Sequence, residues 1–189
     1  YVARYSKPRE AFTLTRSKIH YFGEGETEVA LLNFLKRKGS ISPGKKASVF
    51  NIWQNRAQSI TRRMNKNDSA FIVIDTDKTL NKEIFLKNID ILQKQKINIC
   101  LMVQCNDLED ELYYACGKKD KAKLFFDFYD TRSEKEFKNS FSNEKYNNIE
   151  RKLEKNKFDF KMLWSRNEKC FSDFLSENNL DNSVYIFGD

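Results

Sequence analysis

The sequence contains a single histidine, His20, among its 189 residues. A chain with one imidazole cannot build a histidine-rich metal site, and a single histidine excludes most histidine-based catalytic mechanisms. Because His20 falls within a predicted strand, we expect a packed histidine there. The four cysteines show neither CxxC pairs nor the spacing of secreted disulfide domains, so we interpret them as buried thiols in a reducing compartment.

Long apolar runs are also missing. No segment approaches the ~18 apolar residues of a membrane-spanning helix, and the first residues lack the apolar core of a signal peptide. With two prolines and six glycines, the chain has no linker that would clearly separate two domains. These absences predict a cytoplasmic protein without a membrane partner, formed by one domain and an appendage.

Charged and aromatic side chains are abundant instead. Sixteen phenylalanines and eight tyrosines argue against disorder, because disordered segments are poor in aromatic residues. The formal net charge is +7, which makes a polyanion such as nucleic acid the first partner to consider. A lysine-rich, solvated exterior explains the same charge equally well.

The apolar residues follow a pattern that alternates between strand and helix. Residues 70–74 form an apolar run typical of a strand buried on both faces of a parallel sheet. Alternating units of this length predict an α/β layered domain with a mainly parallel central sheet. The predicted strands span residues 18–23, 47–53, 70–74 and 97–103, and the predicted helices span residues 27–38, 57–65, 80–95 and 107–116.

The composition changes after Gly117 toward lysine, asparagine, phenylalanine and glutamate. We expect helices within residues 134–156 and 167–177, and a closing strand in the terminal SVYIFGD. The predicted organisation is an N-terminal arm (residues 1–17), a core (residues 18–117) and a mostly helical C-terminal extension with a final strand (residues 118–189).

Acidic residues follow the first and third predicted strands. Glu24 lies just past the first strand, and Asp75 and Asp77 lie just past the third, at the strand ends where functional groups of parallel sheets gather. Asp75 and Asp77 are two positions apart, so they point to one side and repel each other unless a cation lies between them or one of them is protonated. One or two Mg²⁺ or Mn²⁺ ions would relieve this repulsion. Glu28 and Glu109 could complete the ligand set.

The segment HYFGEGETE, followed about fifty residues later by FIVIDTDK, resembles the TOPRIM domain. That domain carries a glutamate after its first strand and a D-x-D motif after its third. EGETE is most similar to the small RloB-like TOPRIM proteins of bacterial anti-phage defence, which we group with the OLD-type nucleases. CNDLEDEL is similar in place to their Asn…Glu segment at the start of a helix, and the resemblance covers residues 18–114.

The resemblance implies a Rossmann-like fold and a function. Glu24 would be the proton-transfer group or a metal ligand, and Asp75 and Asp77 would be the metal-binding pair. Nothing resembles the tyrosine domain of a topoisomerase or the zinc module of a primase, so the implied activity is Mg²⁺-dependent hydrolysis of phosphodiester bonds in DNA or RNA. Lys78, beside the pair, would contact the scissile phosphate.

The resemblance also suggests partners. TOPRIM domains of this branch commonly work beside an ATPase, so we expect a separate ATPase or regulatory protein, and the aromatic C-terminal helices could form a homodimer face. Basic residues near the rim of the sheet, where the strands have their carboxyl ends, could hold the nucleic-acid backbone. They are Lys36, Arg37, Lys38, Lys45, Lys46, Arg62 and Arg63.

Other interpretations of the same residues remain open. IVIDTDKTL also fits the signature of HAD phosphohydrolases, in which Asp75 would be the nucleophile, Asp77 the general acid/base and Asp189 a metal ligand. That interpretation leaves EGETE unexplained. A non-catalytic TOPRIM-like module that docks on an ATPase is a third possibility, and acids that begin helices also occur without any catalytic role.

Overall fold

The computed structural model describes residues 17–76, 81–166, 169–180 and 184–187. Their strands are β1 (Ile19–Gly23), β2 (Ser48–Val49), β3 (Ser69–Asp75), β4 (Asn98–Gln104) and β5 (Val184–Ile186). The five strands form one sheet in the order β2-β1-β3-β4-β5, and each neighbouring pair is parallel. The prediction of an α/β domain with a mainly parallel sheet is therefore confirmed.

Eight α-helices lie within the described ranges. They are α1 (Glu26–Lys38), α2 (Gln58–Thr61), α3 (Lys82–Lys94), α4 (Leu108–Ala115), α5 (Lys121–Tyr129), α6 (Glu134–Ser142), α7 (Tyr146–Lys155) and α8 (Lys169–Glu177). A short 3₁₀ turn occupies Phe160–Met162. None of these helices has the length and apolarity that a membrane span requires.

The central strands are buried on both sides, which explains their continuous apolar sequence. Phe71 and Val73 of β3 enter one core, and Ile72 and Ile74 enter the other. The first core contains residues of α1, α4, α5, α6 and α7, and the second contains residues of α2, α3 and α8. The sheet is therefore the middle layer between two layers of helices, as expected for parallel strands.

Local capping sets where the helices of the core begin and end. The Glu28 carboxylate accepts the backbone N–H of Gly25 at the start of α1, at 2.9 Å. Asp107 accepts the N–H of Asp110 at the start of α4, at 2.9 Å. Gly39 ends α1 with φ 76°, a left-handed conformation that glycine adopts without steric cost.

Two predicted elements are shorter than expected. The strand predicted over residues 47–53 is formed only by β2, because the Asn51 side chain accepts the N–H of Trp53 and turns the chain. The helix predicted over residues 57–65 is formed only by α2. Its continuation consists of tight turns, in which Arg63 donates to the carbonyl of Ile60.

The helix α5 was not predicted, because its sequence begins within a lysine-rich run. Asp120 caps it by accepting the N–H of Lys123 at 2.8 Å. Three of its apolar side chains, Leu124, Phe125 and Phe128, are buried in the first core. A short helix with consecutive aromatic residues gives a weak periodic signal, although its capping aspartate was visible in the sequence.

The C-terminal extension packs directly onto the core. Phe137 and Phe141 of α6 are fully buried in the cluster that contains Leu31 and Leu35 of α1. The closing strand β5 pairs with β4, so it completes the same sheet. The described part of the extension therefore shares its hydrophobic core with the βα units.

A buried polar pair closes the amino end of the sheet. His20 lies in β1, and its Nε2 is 3.0 Å from a carboxylate oxygen of Asp68, immediately before β3. Asp68 also accepts the backbone N–H groups of Lys18 and Asn65, each at 2.9 Å. His20 is thus a packed, hydrogen-bonded residue at the end of the sheet opposite Glu24.

Candidate functional site

The strand order creates a crevice at the carboxyl ends of β1 and β3. The chain passes from β1 outward to β2, then returns to β3 and continues in the opposite direction to β4 and β5. Open parallel sheets bind ligands at this kind of reversal, where the loops leave in opposite directions. Glu24 follows β1 and Asp75 ends β3, so both residues lie at the crevice.

Glu24 is held in place by two donors from different parts of the chain. One carboxylate oxygen accepts the side-chain amide of Asn51 at 2.8 Å. The other accepts the backbone N–H of Asp75 at 3.2 Å. Glu24 and Asp75, which are distant in sequence, therefore meet at one edge of the sheet.

The loop after β3 is fastened to the loop after β4. The hydroxyl of Thr76 donates to the carbonyl of Gln104 at 2.7 Å and accepts the N–H of Asn106 at 2.9 Å. The N–H of Thr76 also donates to the carbonyl of Asn106 at 3.0 Å. This clamp fixes the direction in which the chain leaves Asp75. Asp77 and Lys78, which we predicted as site residues, lie outside the described residues.

Glu28 lies one helical turn beyond the strand end and is buried. A Cβ atom added at Gly23 would lie 2.5 Å from the Cβ of Glu28, so only glycine permits this approach of α1 to β1. Burial raises the pKa of Glu28, although its hydrogen bond from Gly25 and the Lys138 ammonium act in the opposite direction. The nearby Asp107 carboxylate raises it further.

A second group of carboxylates lies where α4 meets α6. Oxygen atoms of Asp107, Glu109 and Glu134 all lie within 4.8 Å of one another, a spacing that a metal ion could bridge. Lys138 of α6 is 3.3 Å from one oxygen of Glu109 and 2.6 Å from Glu134. Lys121 neutralises Asp107 at 2.6 Å. The C-terminal extension therefore supplies both an acidic residue, Glu134, and a basic residue, Lys138, to this group.

The electrostatic state of Glu109 is unusual for a carboxyl group. Its side chain is 1% exposed, and burial raises its pKa to about 7. Lys138 lowers this pKa, whereas the carboxylates of Asp107 and Glu28 raise it. Its Oε1 is buried and has no hydrogen-bond partner among the described residues. Glu109 is therefore suited to exchange a proton near neutral pH or to bind a cation.

Gln104 places an unsatisfied amide beside Asp75. The two residues are partners in the β3–β4 register, so their side chains project from the same face of the sheet. That face is covered by α1 and α4, which carry Glu28 and Glu109. Gln104 is 0% exposed, and neither Oε1 nor Nε2 has a hydrogen-bond partner in the described part of the chain. Buried amides usually have a hydrogen-bond partner, so this amide is placed to orient a water molecule or an ion at the candidate site.

The predicted basic residues fall into two places. The last turn of α1 contains Lys36, Arg37 and Lys38. Because α1 runs antiparallel to β1, this turn lies at the end of the sheet where the strands begin, opposite Glu24. Lys45 is also there, because its N–H donates to the carbonyl of Ile19 at the start of β1.

Several of these side chains are already engaged. Arg37 stacks over Tyr146 at 4.1 Å, and Lys38 pairs with Glu150 and Glu154. Lys36 donates to the carbonyl of Lys45. These residues lie away from the rim where we expected them, and their contact with nucleic acid stays a prediction, as it does for Lys46. Arg62 and Arg63 are exposed at the end of α2.

The sequence predicted that Glu24, Asp75, Glu28 and Glu109 lie near the carboxyl ends of the strands, but it did not identify several of their neighbours. Asn51 and Gln104 gave no signal, because an isolated amide has no characteristic spacing. Asp107 was recognisable as a helix cap in CNDLEDEL but was not predicted as a site residue. Asp189, which the HAD interpretation requires together with Asp77, lies outside the described residues.

No protein-family model matches the chain, and neither a curated protein nor a solved structure is significantly similar to it.

Proposed function

We propose that this protein is a divalent-cation-dependent nuclease that hydrolyses phosphodiester bonds at the carboxyl edge of β1 and β3. The observation that carries the proposal is the hydrogen bond between the Glu24 carboxylate and the Asp75 N–H. It joins the glutamate and the first aspartate of the two acidic motifs at the strand reversal, where ligands of such sheets bind.

The donor set suits a hard cation. Glu24, Asp75, Glu28, Asp107 and Glu109 all offer carboxylate oxygens, the ligands that Mg²⁺ and Mn²⁺ prefer. The Oε1 atom of Glu109 is buried and has no hydrogen-bond partner among the described residues, so it is suited to act as a cation ligand. When bound there, one or two such ions would supply Lewis acidity toward the phosphoryl oxygens. Asp77 would join this set by its position in the motif.

The protein groups contribute orientation and proton transfer. Asn51 and the Asp75 N–H hold both oxygens of Glu24, so this carboxylate keeps one direction at the crevice. Glu109, whose pKa is raised to about 7 by burial, is matched to giving or taking a proton at neutral pH. Lys138 places a positive charge beside Glu109, 3.3 Å from one of its oxygens, and lowers the pKa of this carboxyl group.

The wider context of the proposal includes a role in bacterial defence against phage and a separate ATPase or regulatory partner, which rest on the resemblance alone. A cytoplasmic location and a homodimer formed through the C-terminal extension rest on the sequence, although the aromatic side chains Phe125, Phe128, Phe137 and Phe141 of that extension are buried in the first core. These parts are separable from the chemistry, which the purified protein can test by itself.

The test is incubation with labelled DNA and RNA in Mg²⁺, in Mn²⁺ and in EDTA. We expect cleavage with a divalent cation and none in EDTA, and loss of cleavage in Asp75→Asn. The matched control is Asp90→Asn, which removes an exposed aspartate from α3. Nucleic-acid binding without cleavage under every metal condition would favour the docking module, and turnover of small phosphomonoesters through an aspartyl-phosphate would favour the HAD interpretation.

A further inference from the structure

A groove of about 650 Å³ runs between β2 and the segment that contains α2. β2 lies at the edge of the sheet, so this groove is open to solvent along one side. It is lined by Val49, Phe50, Asn55, Arg56, Gln58, Ser59 and Arg62. All of these residues except Phe50 are exposed.

The groove carries positive charge that no carboxylate among the described residues neutralises. Arg56 and Arg62 form no ion pair with any carboxylate in the part of the chain that the structure describes. Many lysines elsewhere are paired, for example Lys38 with Glu150. An unpaired guanidinium offers a planar set of donors that fits two oxygens of one phosphate.

One end of the groove adjoins the candidate site. Asn55 lines the groove, and its side chain accepts the N–H of Asn51 at 3.2 Å. Asn51 in turn donates to the Glu24 carboxylate at 2.8 Å. Two asparagines therefore connect the lining of the groove with the glutamate at the strand reversal.

We propose that this groove binds the phosphodiester backbone of the nucleic-acid strand that enters the candidate site. Arg56 and Arg62 contact phosphates, and the side-chain amide of Gln58 donates a further hydrogen bond to the backbone. Val49, which is 43% exposed, provides an apolar contact for a sugar or base. The inference rests on the proposed function, because it names the path of that substrate.

The structure offers a matched surface for comparison. Arg151 and Lys155 are exposed on α7, which belongs to the helix layer of the first core, whereas α2 belongs to the second. Removing two charges there changes the net charge as much as removing Arg56 and Arg62 does. The comparison therefore separates a local groove from the general attraction of a basic protein.

The experiment measures binding of fluorescent single-stranded DNA and RNA oligonucleotides in EDTA, by anisotropy over a series of salt concentrations. For the double variant Arg56→Gln/Arg62→Gln, we expect binding weakened about tenfold and a salt slope lower by about 1.4, from two lost contacts at about 0.7 each. The control Arg151→Gln/Lys155→Gln should keep the slope of the unsubstituted protein. Equal melting temperatures would show that both variants fold.

The outcomes are distinguishable. An unchanged slope in the arginine variant, or the same loss in both double variants, would overturn the groove and leave the nuclease proposal intact. No binding by the unsubstituted protein would also overturn the groove, whereas the cleavage assay with Mg²⁺ and Mn²⁺ decides the nuclease proposal. Because EDTA prevents cation binding, the result does not depend on catalysis.

Discussion

The carboxylate of Glu24 accepts a hydrogen bond from the backbone N–H of Asp75 at 3.2 Å. The bond joins the ends of β1 and β3 through the backbone N–H of Asp75. Asn51 holds the second oxygen of Glu24. Hydrogen bonds of the protein therefore fix the orientation of this acid.

Substituting Glu24→Gln should abolish cleavage without unfolding the protein. The glutamine retains an oxygen for the Asp75 N–H but loses the negative charge that a cation would need. We expect at least a ~100-fold loss of cation-dependent cleavage, since loss of a group that acts in the transition state typically costs that much. The rate of phosphodiester hydrolysis at saturating Mn²⁺ measures it.

The control for this substitution is Glu26→Gln, which removes an exposed acid two positions away, in the first turn of α1. Its rate should stay close to that of the unsubstituted protein. Comparable losses in both variants would contradict a specific role for Glu24.

Substituting Gln104→Met should stabilise the cation-free protein. A buried amide without partners costs about 1–3 kcal/mol, and methionine fills a similar volume without polar atoms. We expect a gain of about 1 kcal/mol in the free energy of unfolding in EDTA. If Gln104 orients a bound ion or its water, the increase in melting temperature on adding Mn²⁺ should be smaller in the variant.

The exposed glutamine Gln95, at the end of α3, gives the comparison. Gln95→Met should change stability by no more than about 0.5 kcal/mol. A loss of stability in Gln104→Met would mean that its amide is satisfied in the folded protein, which is the outcome that contradicts the prediction.

Glu109→Gln should change how stability depends on pH. Burial raises the pKa of Glu109 from 4.5 to about 7, so the folded state binds this proton more tightly than the unfolded state. The stability of the unsubstituted protein should therefore decrease as pH rises from about 4.5 to about 7. The glutamine variant lacks this decrease, and it should be more stable by about 2 kcal/mol at pH above about 7.5 in EDTA.

Denaturant unfolding at several pH values measures this difference. Glu134→Gln is the control, because Glu134 also pairs with Lys138 but is half exposed. A stability difference between Glu109→Gln and the unsubstituted protein that is the same at pH 5 and pH 8 would contradict the raised pKa.

Arg166→Met should destabilise the junction between α4 and the C-terminal extension. Glu111 is 0% exposed and accepts the N–H groups of Cys105 and Trp164, each at 2.9 Å, and the Arg166 guanidinium at 2.7 Å. Removing the arginine leaves a buried carboxylate with backbone donors only. We expect a loss of about 3 kcal/mol in the free energy of unfolding.

The exposed Arg151 of α7 provides the control, and Arg151→Met should cost less than about 0.5 kcal/mol. Adding Glu111→Gln to Arg166→Met should cost less than the sum of the two single substitutions, because both belong to one network. Additive losses would contradict a direct interaction.

Asp68→Asn should reduce the sensitivity of the fold to acid. Burial by itself raises the pKa of Asp68, but the N–H groups of Asn65 and Lys18 and the His20 ring outweigh burial, and the pKa is lowered from 3.8. The stability that this carboxylate contributes is present above pH 3.8 and lost as pH falls through its lower folded pKa. Acid unfolding followed by circular dichroism should be less steep in Asp68→Asn, and unchanged in the exposed control Asp173→Asn.

The main features of the fold could be predicted because they depend on strong, local patterns. β3 and β4 are apolar between their first and last residues, and buried parallel strands require such runs. The acids Glu24 and Asp75 could be placed together because parallel strands share one carboxyl edge. The weakest predictions concerned β2 and α2, where the side chain of Asn51 and a few tight turns decide the path.

Other features depend on contacts that no sequence spacing reports. Lys138 reaches Glu109 only because α6 packs against α1, and this packing is set by buried phenylalanines. The basic turn that includes Lys36 and Lys38 was expected near the rim. Since α1 runs antiparallel to β1, its last turn lies at the end of the sheet where the strands begin. The geometry of a βα unit alone would have indicated this position.

The pairing of β5 with β4 has a consequence for synthesis. While the ribosome adds residues 105–183, the outer edge of β4 has no partner strand, although β4 and β3 are already available to pair. An unpaired edge can recruit another nascent copy and lead to aggregation. Expression of this protein should therefore benefit from a chaperone that shields this edge until β5 has emerged.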